Sequence, residues 1–324
     1  MLWNNVIEIF QITTAIFSCL LNILLTFLIL KKSPKQLGAY KYLMLYISWF
    51  EIAYSILDVI VSPIIYSKGA FYMIIVVTKD SKLFSKHALL IIECIWTGFF
   101  GTSMGIFALQ FLYRFIVATR SDHLMLFKNY RIFLWMLIPV FFGAMWGGAS
   151  YTLVSPNPKI EAAMNNSLLE VFNLKIEDIT YLGPYFSNDN VIFYKSVICV
   201  TFLWMILVTS FILTIHFAFK CYLALKTNMK KSSRGFGNLE NQIFHGLVAQ
   251  SMIPVILMYI PASLLFLFTF LKFDIGKYGS IVNLTIALFP ALDPLPTIFI
   301  IKNYRLALFG FMKTSKTNSS TVGK

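Results

Sequence analysis

Long apolar stretches alternate with short polar and basic stretches along the whole chain. A helix needs about 20 predominantly apolar residues to cross about 30 Å of hydrocarbon, and seven of the stretches reach that length. The pattern therefore predicts an all-α membrane protein, a seven-transmembrane helix bundle. Segments one to seven are predicted at residues 6–30, 40–65, 88–117, 132–154, 196–219, 246–271 and 279–301.

Three stretches outside these segments also have predicted structures. Phe71–Val77 (FYMIIVV) is too short to span, and we expect it in an outer loop as an extended strand. The basic and aromatic residues 303–313 predict a short amphipathic eighth helix on the membrane surface, which ends a membrane domain of residues 1–313. Residues 314–324, rich in Ser, Thr and Lys, predict a disordered cytoplasmic tail.

The basic residues predict the orientation of the bundle. Segment one has no Lys or Arg before it and is followed by KKSPK, so we expect the amino terminus outside and the carboxyl terminus in the cytoplasm. Two thirds of the 27 Lys and Arg residues then lie on the inner side. A net charge of +13 arranged in this way is typical of membrane loops, and we expect no nucleic-acid partner. With 58% hydrophobic and 13% charged residues, the composition excludes a soluble domain.

Segment two carries a stripe of polar side chains. Ser48, Glu51, Ser55, Asp58 and Ser62 are spaced by three or four residues, which places them on one face of a helix. Because charged groups are unfavourable in lipid, this face must point into the bundle. Two compatible interpretations remain open: a hydrated packing seam, and a polar core that rearranges on activation.

Segment seven carries Asp293 within the proline-rich sequence PALDPLP. The prolines free backbone carbonyls that neighbouring helices, polar side chains or water must satisfy, and a carboxylate within the membrane needs polar partners. We expect the partners of Asp293 on the Glu51 side of segment two, with Arg114 as a further candidate. This region is predicted to act as a hinge.

Glycines and prolines predict how several helices pack. Segments three and four carry small residues at helical spacing, which predicts that the two helices approach closely. Segment six carries Pro254 and Pro261, seven residues apart and so on one face, where each can kink the helix. The kinks favour a lever that moves on activation, although prolines in membrane helices are also common as purely structural features. The small residues are Gly98, Gly101, Thr102, Gly105 and Ala108 in segment three, and Gly143, Ala144, Gly147 and Gly148 in segment four.

Motifs for catalysis and metal binding are missing from the sequence. It contains no H-E-x-x-H, G-x-S-x-G or P-loop, and its four His and four Cys residues are scattered. We therefore predict that the protein is not an enzyme and uses no metal or cofactor. Cys94 and Cys199 lie near the outer ends of their segments, and we do not expect them to pair. The long outer loop contains a candidate N-glycosylation site at Asn165.

Four motifs resemble those of nematode seven-transmembrane chemoreceptors, the str-type serpentine receptors of class r. They are LGAYKYLM after segment one, FLYRF at the end of segment three, NQIFHGLVAQSMIPVILMYIP in segment six and FPALDPLPTIFIIKNYR in segment seven. The resemblance implies a G-protein-coupled odorant or chemical receptor of ciliated sensory neurons, in the plasma membrane and specifically its ciliary part. Tyr113-Arg114-Phe115 departs from the acidic-Arg-Tyr triplet of rhodopsin-like receptors, and Asp293-Pro294 stands where those receptors have Asn-Pro.

We expect a small external compound to bind between the outer halves of the helices, since aromatic and sulfur side chains with a few polar groups suit such ligands. The loops at 118–131 and 220–245 are expected to contact a heterotrimeric G protein, and lipid surrounds the bundle. The alternative function is an ion or solute transporter or channel that uses the intramembrane carboxylates. The candidate ligand-binding residues are Glu93, Trp96, Phe100, Thr201, Phe202, Met205, Tyr259, Ser263, Phe266, Asn283 and Ile286. The candidate signalling residues are Glu51, Asp58, Tyr113, Arg114, Pro254, Pro261, Asp293 and Pro294.

Overall fold

The computed structural model describes residues 2–34, 37–79, 84–119, 125, 127, 130–186, 189–228 and 234–310. Within these residues, seven helical segments are long and apolar enough to cross a membrane, which confirms the predicted bundle. The helix of residues 302–310 follows segment seven. The predicted tail at 314–324, and the last three residues of the predicted eighth helix, lie outside the described residues.

Each of the first five segments is a single helix, and the largest differences from the expected ends are in segments two and five. Segment two stops at Val61, four residues early, because Ser62 adopts the left-handed conformation (φ 41°) just before Pro63. Segment five is 39 residues long because the sequence on its inner side, KCYLALKTN, contains no Pro or Gly that would end a helix. The helices are Leu2–Lys32, Tyr40–Val61, Lys86–Ala118, Arg131–Val154 and Asn190–Asn228.

Segment six contains a π-helical turn between its two prolines. The α-helix Arg234–Pro254 continues into the π-helix Val255–Tyr259 and then into the α-helix Ile260–Phe270. In the π-turn the Ile260 N–H bonds the carbonyl of Val255, five residues back. Pro254 and Pro261 have no N–H, so the regular α-helical ladder is interrupted on both sides of this turn. Between the two prolines, segment six thus has one helical turn that is wider than an α-helical turn.

Segment seven is divided at Asp293. It consists of the helices Ser280–Leu292 and Pro294–Ile300, and Asp293 lies between them. Pro294 opens the second helix because its fixed φ suits a first helical position and its missing N–H would have no partner there. The Asp293 side chain therefore lies at the point where the α-helical hydrogen bonds of the backbone are interrupted.

The outer loops form a three-stranded antiparallel sheet. The strands are β1 (Ile64–Lys68), β2 (Phe71–Val77) and β3 (Ile179–Leu182), in the order β1-β2-β3. The predicted strand at Phe71–Val77 is confirmed as β2, where it pairs Ile65 with Ile74 and Ile74 with Leu182. We did not predict β1, β3 or the helix Pro158–Phe172 in the long loop.

Hydrogen bonds attach the sheet to the bundle. Ser280 Oγ donates to the carbonyl of Ile65 (2.9 Å), and Asn283 Nδ2 donates to the carbonyl of Pro63 (2.8 Å), so the start of β1 is held by segment seven. Ser67 and Gly276 exchange two backbone hydrogen bonds (3.2 and 2.7 Å), which join β1 to the loop between segments six and seven. The first outer loop is therefore fixed in position above the helices.

Glycines allow segments three and four to touch along their backbones, as their spacing predicted. A Cβ atom added at Gly147 would lie 2.5 Å from the carbonyl oxygen of Cys94, and one at Gly98 would lie 2.9 Å from that of Gly143. Both distances are shorter than any ordinary contact of a carbon atom. Lipid is as apolar as the helix surfaces, so the hydrophobic effect does not drive the two helices together in a membrane. Close packing of their backbones stabilises the pair instead.

We predict that Gly147→Ala lowers the stability of the folded protein, whereas Gly148→Ala does not. The new methyl group at 147 must push segments three and four apart, and overpacking of this kind costs about 1–3 kcal/mol. Gly148 lies one residue further along the same helix and has nothing within 4 Å of an added Cβ atom. Thermal unfolding of the purified protein in detergent measures both effects, and equal unfolding temperatures for the two variants would contradict the prediction.

Candidate functional site

A cavity lies between the outer halves of segments three to seven and the outer sheet. Its volume is about 60 Å³, and since one water molecule needs roughly 10–15 Å³ of such space, it holds about four to six. Most of its lining is aromatic or aliphatic. The lining residues are Ile65, Tyr72, Ile74, Trp96, Thr97, Phe100, Trp146, Ser150, Val154, Leu182, Gly183, Pro184, Cys199, Leu203, Ala262, Leu265, Phe266, Val282 and Ile286.

Four of the eleven candidate ligand-binding residues line this cavity, and they come from three different segments. Trp96 and Phe100 lie on segment three, Phe266 on segment six and Ile286 on segment seven. Phe100 packs against Trp146 of segment four, with 5.1 Å between ring centroids. The other seven candidates do not line the cavity: Glu93, Thr201, Phe202, Met205, Tyr259, Ser263 and Asn283.

The three candidates from segment five do not point into the cavity. Thr201 and Met205 are exposed on the outer surface of the bundle, and Phe202 is half-buried. The side chains that enter the cavity from this helix are Cys199 and Leu203. The reason is that segment five is apolar on all sides, so its sequence carries no mark of the face that points inward.

Two polar candidates are buried elsewhere. Glu93 is fully buried where the backbone of Leu182 approaches its carboxyl group, and neither carboxyl oxygen has an aligned hydrogen-bond partner among the described residues. Asn283 holds the chain at Pro63, as described above. Both side chains therefore support the outer sheet, which positions the top of the cavity.

The two remaining candidates belong to segment six. The Tyr259 hydroxyl bonds the Ser210 hydroxyl of segment five (2.7 Å), and the Ser210 hydroxyl also donates to the carbonyl of Met104 (3.0 Å). Tyr259 thereby joins three helices at the π-turn. Ser263 is half-buried and follows the cavity residue Ala262.

Trp96 connects the cavity to the polar stripe of segment two. Its ring lines the cavity, and its Nε1–H donates to Oδ1 of Asp58 (2.9 Å), which is buried. A second space of about 10 Å³, enough for about one water molecule, adjoins Asp58 and Ile286. Any movement of the Trp96 ring changes a hydrogen bond on segment two.

Glu51 and Asp293 meet in the centre of the bundle. The Glu51 carboxyl lies against the Asp293 carboxyl and beside Asn22, and Gln250 Nε2 of segment six donates to Oδ2 of Asp293. Two carboxylates are acceptors only, so a hydrogen bond between them requires a proton on one. The predicted partnership of Asp293 with the Glu51 side of segment two is present in this arrangement.

Asn22 satisfies the backbone carbonyl that a proline leaves free. In a regular helix the N–H of residue 294 would bond the carbonyl of Pro290, but Pro294 has none. Asn22 Nδ2 of segment one donates to that carbonyl instead (3.0 Å), and also to the carbonyl of Ser18 (3.1 Å). The break in segment seven is thus stabilised by a side chain from segment one.

Arg114 is buried among aromatic rings at the inner end of the bundle. Its guanidinium carbon lies 3.4 Å from the centroid of the Tyr40 ring, and Tyr40 stacks on Tyr113 (5.5 Å, 23°). Tyr304, in the helix after segment seven, bonds Ser33 (2.6 Å) and lies near Arg114; burial raises the pKa of Tyr304 to about 12. The guanidinium group of Arg114 is therefore in cation–π contact with the Tyr40 ring.

Sequence reasoning missed several of the residues that build these sites. Asn22 is a lone amide in an apolar segment, and Gln250 lies inside one of the quoted motifs, so their polarity was the available signal. Tyr40 likewise lies inside one of the quoted motifs, LGAYKYLM, but its aromatic ring alone did not indicate a contact with Arg114. The cavity residues that were missed from the sheet, from the turn after β3 and from segments five and six are Ile65, Tyr72, Ile74, Leu182, Gly183, Pro184, Cys199, Leu203, Ala262 and Leu265.

Two further sequence predictions concern the outer side of the bundle. Asn165 is exposed, but it lies on the helix Pro158–Phe172 rather than in an irregular loop. Cys94 and Cys199 are unpaired, as expected. Nearby, Asp189 forms a salt bridge with Lys159, which holds the pKa of the Asp189 carboxyl below its usual range.

The described residues contain seven helical segments long and apolar enough to cross a membrane, and their arrangement is similar to that of a rhodopsin. The structure matches squid rhodopsin with a TM-score of 0.65 at 13% identity, over 94% of this chain and 80% of that chain. The fold is thus that of a seven-transmembrane helix bundle. Residues 7–309 match the family described as serpentine type 7TM GPCR chemoreceptor Str, and the chain belongs to that family.

Two Caenorhabditis elegans proteins are similar over most of their length. The chain is 35% identical to the G-protein coupled receptor str-217, covering 90% of this chain and 85% of the relative. It is 29% identical to the serpentine receptor class r-10, covering 98% of this chain and 94% of the relative. The predicted resemblance to nematode str-type serpentine receptors is confirmed.

We predict that Asn22→Ala destabilises the protein less when Pro294 is also replaced by Ala. Alone, Asn22→Ala leaves the Pro290 carbonyl buried without a donor, which costs about 1–3 kcal/mol. In the Pro294→Ala background the restored backbone N–H can bond this carbonyl, so part of the loss disappears. A double-mutant cycle by thermal unfolding measures the coupling; additive losses from the two substitutions would show that Asn22 does not act on the Pro290 carbonyl.

Proposed function

We propose that the protein is a chemosensory receptor that binds a small external compound in the outer cavity and activates a heterotrimeric G protein. The observation that carries the proposal is the Trp96 side chain, which lines the cavity and bonds Asp58 of the polar stripe. A compound in contact with the Trp96 ring can therefore alter a buried hydrogen bond of segment two. The size and apolar lining of the cavity favour a small odorant-like molecule.

Activation would separate the aromatic layer around Arg114. In the resting arrangement, Tyr40 at the start of segment two holds the Arg114 side chain of segment three. The Glu51 and Asp293 pair and the π-turn of segment six lie between this layer and the cavity. A ligand shifts the balance only if it binds the active arrangement more tightly than the resting one.

The G protein would contact the chain at residues 118–131 and 220–245, which include the inner ends of the helices of segments five and six, and the receptor would act in the ciliary membrane of sensory neurons. Family membership supports the class of partner and of ligand. Responses that persist after G-protein signalling is blocked, or intact coupling after Arg114→Ala, would argue against the proposal. An ion current in such blocked cells would favour the alternative of a channel or transporter.

We predict that Ala262→Leu reduces responses to small compounds. The added carbon atoms project into a cavity of only about 60 Å³, whereas Leu264→Phe adds similar bulk on the outward face of the same helix. A calcium-response screen against a panel of volatile compounds, in cells with equal surface expression of each variant, makes the comparison. Equal losses for both variants would place the binding site elsewhere.

We predict that Tyr40→Leu raises signalling in the absence of ligand, while Tyr40→Phe leaves it close to that of the unaltered receptor. Leucine removes the ring that holds the Arg114 cation, a contact of about 2 kcal/mol when desolvated, and phenylalanine keeps a ring. Basal second-messenger levels, normalised to surface expression, give the measurement. If Tyr40→Phe raised basal signalling as much as Tyr40→Leu, the hydroxyl rather than the ring would be the restraint.

A further inference from the structure

We propose that ligands reach the cavity from the lipid, through the wall between segments five and six, and that Phe266 closes this passage. The inference rests on the proposed function, because it concerns access to the proposed ligand site. It also defines the ligand class, since a molecule that uses this route must dissolve in the bilayer.

Phe266 forms the boundary between two spaces. On one side it lines the outer cavity, where its ring packs against Tyr72 of β2 with 5.6 Å between centroids. On the other side it lines a groove on the outer surface of segments five and six, with a volume of about 630 Å³. Phe266 is 7% exposed, so it fills the wall between them.

The groove opens toward lipid. Its other residues include Met205 and Phe270, which are 64% and 61% exposed on the surface of a bundle that spans a membrane. The full set is Val200, Thr201, Trp204, Met205, Val208, Thr209, Phe266, Leu267 and Phe270. The side chains that sequence reasoning assigned to ligand binding in segment five, Thr201 and Met205, are members of this groove.

The aqueous side of the cavity is covered by the outer sheet in the described part of the outer loops. Ile65, Tyr72 and Leu182 line its upper end and are all buried. Gly183 fits so tightly under β2 that an added Cβ atom would lie 2.0 Å from the carbonyl oxygen of Tyr72. Opening this cover would break the bonds to Ser280, whereas opening the wall requires the displacement of one aromatic side chain.

The polar groups of the cavity wall are largely bonded within the protein, which favours an apolar ligand. The Thr97 and Ser150 hydroxyls donate to the carbonyls of Cys94 and Trp146 in their own helices (2.9 and 3.1 Å). The Trp96 Nε1–H donates a hydrogen bond to Asp58. A strongly polar molecule would lose its hydration in this cavity without full replacement, whereas an apolar one is already concentrated in lipid.

Cys199 provides a native reporter of access, because its side chain lines the cavity and is 1% exposed. The experiment uses the full chain in lipid nanodiscs and follows labelling of Cys199 by peptide mass spectrometry. The uncharged, membrane-soluble reagent is methyl methanethiosulfonate. The charged reagent, which does not cross the bilayer, is sulfonatoethyl methanethiosulfonate. Cys199 labelling does not involve a G protein.

We expect Phe266→Ala to accelerate labelling by the uncharged reagent by roughly tenfold, the factor that about 1.4 kcal/mol removed from a barrier produces. Leu267→Ala is the matched control, since Leu267 lines the groove but not the cavity. Met205→Trp, which fills the groove, should slow labelling both alone and together with Phe266→Ala. The charged reagent should label Cys199 slowly in all of these variants.

Access from water predicts the opposite set of results. Leu182→Ala in the cover would then accelerate labelling by the charged reagent, and Phe266→Ala would leave the rate with the uncharged reagent unchanged. Either this pattern or a Phe266→Ala protein that stays unlabelled overturns the inference. A receptor that labels as expected but never activates a G protein would refute the proposed function alone, so the two failures are distinguishable.

Discussion

The hydrogen bond from Asn22 to the carbonyl of Pro290 shows the constraint under which the whole bundle is built. Lipid offers no hydrogen-bond donors, so each carbonyl that a proline frees must find one inside the protein. Segment seven can be divided at Asp293 only because segment one supplies this donor, segment two supplies the Glu51 carboxyl and segment six supplies Gln250. Four helices therefore converge on one break in the backbone, and they hold it in a single arrangement.

This convergence divides the molecule into layers with different chemistry. Above it lies an apolar cavity whose link to the polar interior is the Trp96–Asp58 hydrogen bond. Below it lies the aromatic layer in which Tyr40 covers Arg114. Because protein interiors pack tightly, neighbouring side chains connect these layers by direct contact. The buried side chains of Asp58, Asp293 and Arg114 each lie against polar or aromatic neighbours.

The outer sheet gives the cavity its upper boundary and ties the first and second outer loops to segment seven. Its strands exchange hydrogen bonds with one another, and the side chain of Asn283, a candidate ligand-binding residue, donates to the carbonyl of Pro63 just before β1. This arrangement leaves apolar rings and aliphatic side chains to face the interior. The surface that lines the cavity is accordingly set by packing rather than by polar side chains.

The sequence by itself determined the number of spanning helices, the inward direction of the charged stripe, the strand at Phe71–Val77 and the close contact of the glycine faces. Each of these depends on local length, local hydrophobicity or side-chain size, which short stretches carry. Only the tertiary structure decided that Cys199 and Leu203, rather than Thr201 and Met205, face the cavity. Lipid and protein interior are equally apolar, so hydrophobicity does not distinguish the two faces of segment five, and packing against the other helices does. Likewise β1 was hidden at the end of an apolar run, and the partners of Asp293 come from residues far apart in the chain, whose meeting no local pattern encodes.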